Sequence, residues 1–485
     1  MESGQTIAMS TTSIDPLQRT NSLDQKGMGI TSAKSDGKMT KYQIIKNVLV
    51  VSVGFMLLFT SFQSLTNLQS SLNKEDGLGT GGLSVVYGAL IISCMFIPSF
   101  TIAHLGCKWT VTLSMVCYIA YMAANFYAVW GLMAPASVIV GLGAAPLWAA
   151  KCTYLTQTGV WYSQITGATE DDIINRFFGF FFMSFQTSQI WGNLISSTVF
   201  SSHDENVTMD VSPEALSKCG AGFCPGSDVN NTNLERPPIE KVYTVCGIYL
   251  ACACLAFFMI VFFLDKIQLD KDESRQGKVS MKLLVETFRH LYNSHYQKLL
   301  IPLTLYSGIE QAFIAGDFTK SYISCTLGIW SVGYVMICYG VTDAVCSFTF
   351  GRLVQYFGHA TFFVLAFIAH GSVQITMLLW TPDPERVYIF YILAAVWGMG
   401  DAVIQTQINA LYGFLFKDHS EAAFSNYRLW ESIGFIIAFA CSNYMCTDIK
   451  LYVCIGILCV GMSMYGVVEV KSRRSMTSQG LQTKL

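Results

Sequence analysis

The sequence predicts an all-α membrane protein with about twelve transmembrane helices in two six-helix halves, and three observations lead there. Apolar stretches begin near Val48, Val85, Trp109, Leu132, Phe177, Val242, Leu299, Trp330, Phe362, Val387, Phe424 and Ile449. Each runs for roughly 20 residues, enough for a helix to cross a hydrocarbon core of about 30 Å. The composition is 52% hydrophobic and 13% charged, with a mean hydropathy of +0.44. A water-soluble domain of this size needs more charge on its surface, which excludes that class. Finally, glycine-marked elements recur at corresponding places in the two sets of six spans.

Residues 1–45 are rich in Ser, Thr, Gly and Lys. They lack the apolar core and small-residue cleavage site of a signal peptide and read as a disordered cytosolic tail. The first six spans fill 46–264, a charged cytosolic linker follows at 265–298, the second six fill 299–470, and 471–485 form a second cytosolic tail. With the start of the chain in the cytosol, 23 of the 30 Lys and Arg residues fall on the inner side. This bias is the one expected of positive-inside topology and puts both termini in the cytosol.

The longest outer loop, 201–241, carries the sequons Asn206 (NVT) and Asn230 (NNT). Their shared position predicts glycosylation on the lumenal side. The same loop holds Cys219 and Cys224 in KCGAGFCPG, so these two residues either pair as a disulfide in an oxidising compartment or stay as thiols. The other cysteines lie mostly in or beside apolar spans and read as small hydrophobes. No Cys/His cluster has zinc spacing, so no metal is expected. In the linker, KVSMKLLVETFRHLYN has apolar residues at helical spacing with basic residues between them. It suits a helix lying at the membrane surface or a solvated connector.

The repeat shows in two elements. SFTIAHLGCK from Ser99 follows the second span and GRLVQYFGHA from Gly351 follows the eighth. Gly141 and Gly143 of VGLGAA in the fourth span match Gly398 and Gly400 of WGMGDA in the tenth. Small residues at such places let helices approach closely. Together these elements resemble the major facilitator superfamily, whose two halves rock about a central site. Four segments, KNVLVVSVGFMLLFTSFQSLTNLQSSLN from Lys46, EDGLGTGGLSVVYGA from Glu75, GLGAAPLWAAKCTYLT from Gly141 and FFMSFQTSQIWGNLISS from Phe181, are similar to the UNC-93 family, above all to its vertebrate homolog A branch.

That resemblance implies a multi-pass glycoprotein of the plasma membrane that acts as a regulatory or escort subunit of a potassium channel or a receptor. The alternative is a secondary transporter of a small solute or ion. The superfamily's paired gating charges are absent: Ala103 and His104 stand in the loop after span two, and Gln355 and Tyr356 in the loop after span eight. Ser137 stands where proton-coupled relatives place an Arg. These departures weigh against ordinary alternating access.

Charges within membrane helices are costly and mark candidate sites. Here they are Lys151, Glu310, Asp317, Asp343, Asp401, Arg428 and Glu431. By the superfamily arrangement Lys151, Glu310 and Asp401 would line the central cavity with Gln63, Gln311 and Gln405 nearby. The competing expectation is internal pairing: Arg428 with Glu431 three residues on, Lys151 with Asp401 across the halves, and Asp317 reaching the outer headgroups. His104, His359 and His370 read as packed side chains, and no Ser or Asp is placed beside them for nucleophilic chemistry. No phosphate-binding loop or nucleophile elbow occurs, so no enzyme activity or cofactor is expected, and a net charge of −2 with no basic tract mixed with aromatics gives no reason to expect a nucleic-acid partner. The chain ends Thr483, Lys484, Leu485, a terminus that could add as a strand to a PDZ scaffold.

Overall fold

The computed structural model describes residues 39–201, 213–226, 231–267, 280–416 and 420–482. Asn206, Asn230 and the terminal Thr483 to Leu485 lie outside the described residues, so the sequons and the PDZ-type ending have no structural account.

Lipid offers no hydrogen-bond partner to a bare backbone, so apolar spans of this length close their hydrogen bonds internally as helices. α1 (Lys41–Leu72) starts at a capping box between Thr40 and Gln43. α2 (Leu78–Ala124) is a single run of 47 residues broken at Gly106, whose φ of 72° turns the chain back. It therefore crosses twice. Next come α3 (Trp130–Thr166), α4 (Glu170–Phe200), the short α5 (Pro213–Ser217) and α6 (Ile239–Phe263). α7 (Ser280–Asn293) connects to α8 (His295–Ala312), which continues through a π-helical stretch, Phe313–Ser324, into the last turn α9 (Cys325–Leu327). α10 (Trp330–Phe357), α11 (His359–Leu379), α12 (Val387–Leu415), α13 (Ser420–Cys441) and α14 (Thr447–Gln482) complete the chain.

Among the described residues, ten helices are long and apolar enough to cross a membrane. The remaining two of the twelve passes, α4 and α13, are 31 and 22 residues long but more polar. Both lie at the seam between the halves, where α4 packs on α10 and α13 packs on α2. Twelve passes bring the first and last described residues to one end of the bundle, here the termini end. The opposite end carries two disulfides.

The glycine repeat has a geometric cause. A Cβ on Gly141 would collide with the Val86 carbonyl, and one on Gly398 with the Tyr339 carbonyl. Two residues on, Gly143 leaves no room beside Cys117 and Gly400 none beside the His370 ring. In each half, therefore, the fourth crossing rests one glycine on the second crossing and the next on the third. Gly106 and Gly358 also correspond, both at positive φ (72° and 77°) where the second crossing turns into the third.

Hydrogen bonds across the halves lie toward the disulfide end: Ser70 to Thr319 (3.3 Å), Ser71 to Ser324 (2.9 Å) and Asn443 Nδ2 to Thr80 (2.6 Å). Tyr87 stacks on Phe435 with ring centroids 4.0 Å apart. The basic amphipathic linker segment forms α7, which packs against α13, α2 and α8. Asn426 donates to its Thr287 carbonyl at 2.9 Å.

One expectation is corrected here. Cys219 and Cys224 do not pair with each other: Cys219 joins Cys325 and Cys224 joins Cys446. The 3-10 turn Gly220–Gly222 between them presents the two thiols to different second-half elements, α9 and the turn before α14. Loop spacing alone carries no information about partners that distant in sequence.

Candidate polar core

The charges singled out in the sequence fall into separate networks. Lys151 is fully buried, with its ammonium among four rings: Phe181 at 4.2 Å from the centroid, Trp148 at 4.7 Å, Phe182 at 4.9 Å and Phe178 at 5.3 Å. Ring faces carry negative potential and solvate a cation in a dry interior. The helices supplying them are α3 and α4, both of the first half. The expected pairing of Lys151 with Asp401 is not formed, because each charge is accommodated inside its own half.

Asp401 accepts from the Tyr339 hydroxyl. One turn earlier on the same face of α12, Trp397 donates its indole N–H to Glu310 Oε2 at 2.6 Å. Spacing of four residues puts Trp397 and Asp401 one above the other on α12, so Glu310, held by Trp397, and Asp401 share a buried acidic patch walled by Tyr339 and Trp397. Among the described residues no hydroxyl, amide, indole or cationic donor reaches Glu310 Oε1 or Asp401 Oδ1. Next to this patch, His370 bridges Tyr306 (Nδ1 to hydroxyl, 2.8 Å) and the Trp397 carbonyl (3.1 Å), and Gln374 donates to the same Tyr306 hydroxyl at 2.8 Å. Asp343, on α10 with Tyr339, accepts from Ser347 at 3.2 Å.

Toward the termini end, Arg428 and Glu431 form an ion pair. Glu431 Oε1 also accepts from Tyr427 (2.9 Å) and Ser307 (3.1 Å), while Gln405 donates to Ser307 at 2.8 Å. Toward the disulfide end, Asp317 is held by Lys450 at 2.6 Å and by Ser442 at 2.8 Å. Asp317 is therefore buried in a pair instead of reaching the headgroups, a second correction. Asp317 lies in the π-helical stretch and Lys450 in the first turn of α14. Among the described residues His104 bonds back to its own helix, at the Phe100 carbonyl, and His359 meets Gln407 at 2.6 Å.

The residues expected to line an open cavity are buried. Gln63, Lys151, Glu310, Gln311, Asp401 and Gln405 are each at most 2% exposed. Gln63 accepts from Ser188 at 2.7 Å, and Gln311 donates to the Ser307 carbonyl at 2.9 Å. Sequence reasoning missed the donors Trp397, Tyr339, Tyr306 and Tyr427, which read there as ordinary apolar content. The signal available was periodicity: Trp397 and Asp401 stand one turn apart. Among the described residues no group of His, Cys, Asp and Glu could hold a metal ion.

Comparison with known proteins agrees with this architecture. Residues 68–465 match the family described as "Ion channel regulatory protein UNC-93". Protein unc-93 homolog A of Xenopus laevis is 49% identical over 429 residues, covering 88% of this chain and 93% of that protein. A Caenorhabditis elegans protein, unc-93, whose name assigns it provisionally to potassium channel regulation, is 36% identical over 446 residues, covering 90% of this chain and 62% of that one. Among solved structures, the nucleoside transporter NupG superposes with a TM-score of 0.59 at 14% identity, covering 87% of this chain and 99% of that one. At that identity the likeness is one of fold alone, the two-halved transporter bundle.

Proposed function

This chain belongs to the UNC-93 family, and we propose that it is a regulatory subunit of an ion channel, a potassium channel in the first instance. The observation that carries the reading is the burial of the central polar residues. Gln63, Lys151, Glu310, Gln311, Asp401 and Gln405, which the superfamily arrangement would put at a transported solute, are each at most 2% exposed. The missing charges at Ala103, His104, Gln355 and Tyr356 support it further. So does the name of the Caenorhabditis elegans relative. Fold by itself does not decide between partner and carrier.

On the same reading the Lys and Arg distribution supports cytosolic termini, and the resemblance to the unc-93 homolog A branch supports the plasma membrane. It makes Asn206 and Asn230 the acceptors for glycan. Co-expression with candidate potassium channels tests the regulatory role: the expected result is an altered current, with no saturable uptake when the purified protein is reconstituted alone in vesicles.

A second reading, a carrier for a proton or small cation, is favoured by one feature, the acidic patch of Glu310 and Asp401. Uptake by the isolated protein that Glu310→Gln or Asp401→Asn abolishes, with channel currents unchanged, would overturn the first reading in favour of this one.

A further inference from the structure

The loop between α4 and α6 belongs to the first half by sequence, yet its described parts are docked on the second. Cys219 is joined to Cys325 with Cα atoms 5.7 Å apart, and Cys224 to Cys446 at 4.1 Å. The Thr447 amide donates to the Phe223 carbonyl at 2.9 Å, and Gly220 lies against Pro382 of the α11–α12 turn. Asn231 donates to the Cys325 carbonyl at 3.0 Å, and Asn233 to the Thr326 carbonyl at 2.9 Å. Cys219, Phe223, Leu234 and Cys325 close over one another as a small apolar core, none more than 6% exposed.

From that docked core the chain returns to the first half almost at once. Only Glu235, Arg236, Pro237 and Pro238 separate Leu234 from α6. Five Cα steps reach at most about 18 Å, and the two prolines hold φ near its fixed value and stiffen the link. On the far side α6 is tied to α4: Lys241 Nζ donates to the carbonyls of Phe200 (3.4 Å) and Ser201 (3.3 Å). A short stiff segment thus joins a first-half helix pair to the end of α9.

We propose that this loop is a strut that keeps the disulfide end of the bundle shut, so that the two halves can separate only at the termini end. Rocking of one half against the other requires the two ends to open in turn. Opening at the disulfide end would pull Leu234 from its core and break the Asn231 and Asn233 bonds. The disulfides act indirectly. The 15 Cα steps from Cys224 to Ile239 could stretch to about 50 Å, so the Cys224 bond does not limit opening by its reach. Cys219 and Cys325 instead form the floor on which Asn231 and Leu234 sit. Such a strut would act on the bundle whether or not a channel is its partner.

Pulsed spin-label distances test it, with labels introduced through unnatural amino acids so that native cysteines stay untouched. Tyr127 and Tyr388, 69% and 62% exposed, report on the disulfide end. Tyr42 and Tyr356, 79% and 75% exposed, report on the termini end. The expected result is one narrow distance for the first pair in the wild-type protein. A second, longer population should appear when Asn231→Ala and Asn233→Ala are combined with Cys219→Ser and Cys325→Ser, and the Cys224→Ser, Cys446→Ser variant should open less. If the combined variant does not fold, reduction of the folded Asn231→Ala, Asn233→Ala protein removes the same asparagine bonds and disulfide. Two populations at the disulfide end of the oxidised wild-type protein would overturn the strut. So would a distance that stays narrow after both the bonds and the asparagines are removed.

Discussion

Trp397 donates its indole N–H to Glu310 Oε2 at 2.6 Å across the α8–α12 contact. A buried acceptor deprived of its donor carries its desolvation cost uncompensated. Trp397→Phe should therefore lower stability by about 1.5–3 kcal/mol, while the pair Trp397→Phe, Glu310→Leu should recover part of the loss. Thermal unfolding of the purified protein in detergent measures both. Equal stability of Trp397→Phe and wild type would show that the bond contributes nothing.

Asp317 and Lys450 form a buried ion pair between the π-helical stretch and α14, with an N to O distance of 2.6 Å. Removing one member leaves a charge without its partner, at a cost of about 3–5 kcal/mol, whereas replacing both by apolar residues of similar size is often neutral. Asp317→Leu alone and Lys450→Met alone should each unfold at clearly lower temperature, and the double variant should return close to wild type. A double variant as weak as the sum of the two singles would show that the pair is not coupled.

Gly141 and Gly398 are the equivalent close contacts of the two halves, each facing a helix carbonyl with no room for a Cβ. Overpacking a tight interior costs about 1–3 kcal/mol. Gly141→Ala and Gly398→Ala should both destabilise, and by similar amounts, whereas Gly131→Ala, at a helical glycine with open space around it, should not. Denaturation midpoints of the three variants settle the matter, and a loss at Gly131 equal to the others would remove the packing explanation.

The proposed glycans at Asn206 and Asn230 give a topological check. If Asn206 and Asn230 lie on the lumenal side, glycosidase treatment should increase gel mobility, and the combined Asn206→Gln, Asn230→Gln variant should migrate like the treated wild type. An epitope placed before Lys41 should be reached by antibody only after permeabilisation. Staining of intact cells at that epitope would reverse the proposed orientation.

What the sequence determined by itself is what depends on local physics. The span lengths, the two sets of six and the paired glycines at Gly141, Gly143, Gly398 and Gly400 follow from the width of the bilayer and from the space between neighbouring helices. Both are legible within windows of about 20 residues. The polar core and the covalent links were decided only by the tertiary structure. Cys219 meets Cys325 after 106 residues and Cys224 meets Cys446 after 222, and loop spacing holds no trace of either partner. Lys151 reads as a cavity charge until Phe178, Phe181 and Phe182 of the next helix fold around it. Glu310, Asp317 and Asp401 were recognisable as costly residues, but their donors Trp397, Lys450 and Tyr339 come from helices whose distance in the bundle, not in the chain, sets which charge is satisfied. A residue's intrinsic cost of burial is written in its chemistry, and the group that offsets it is chosen by packing.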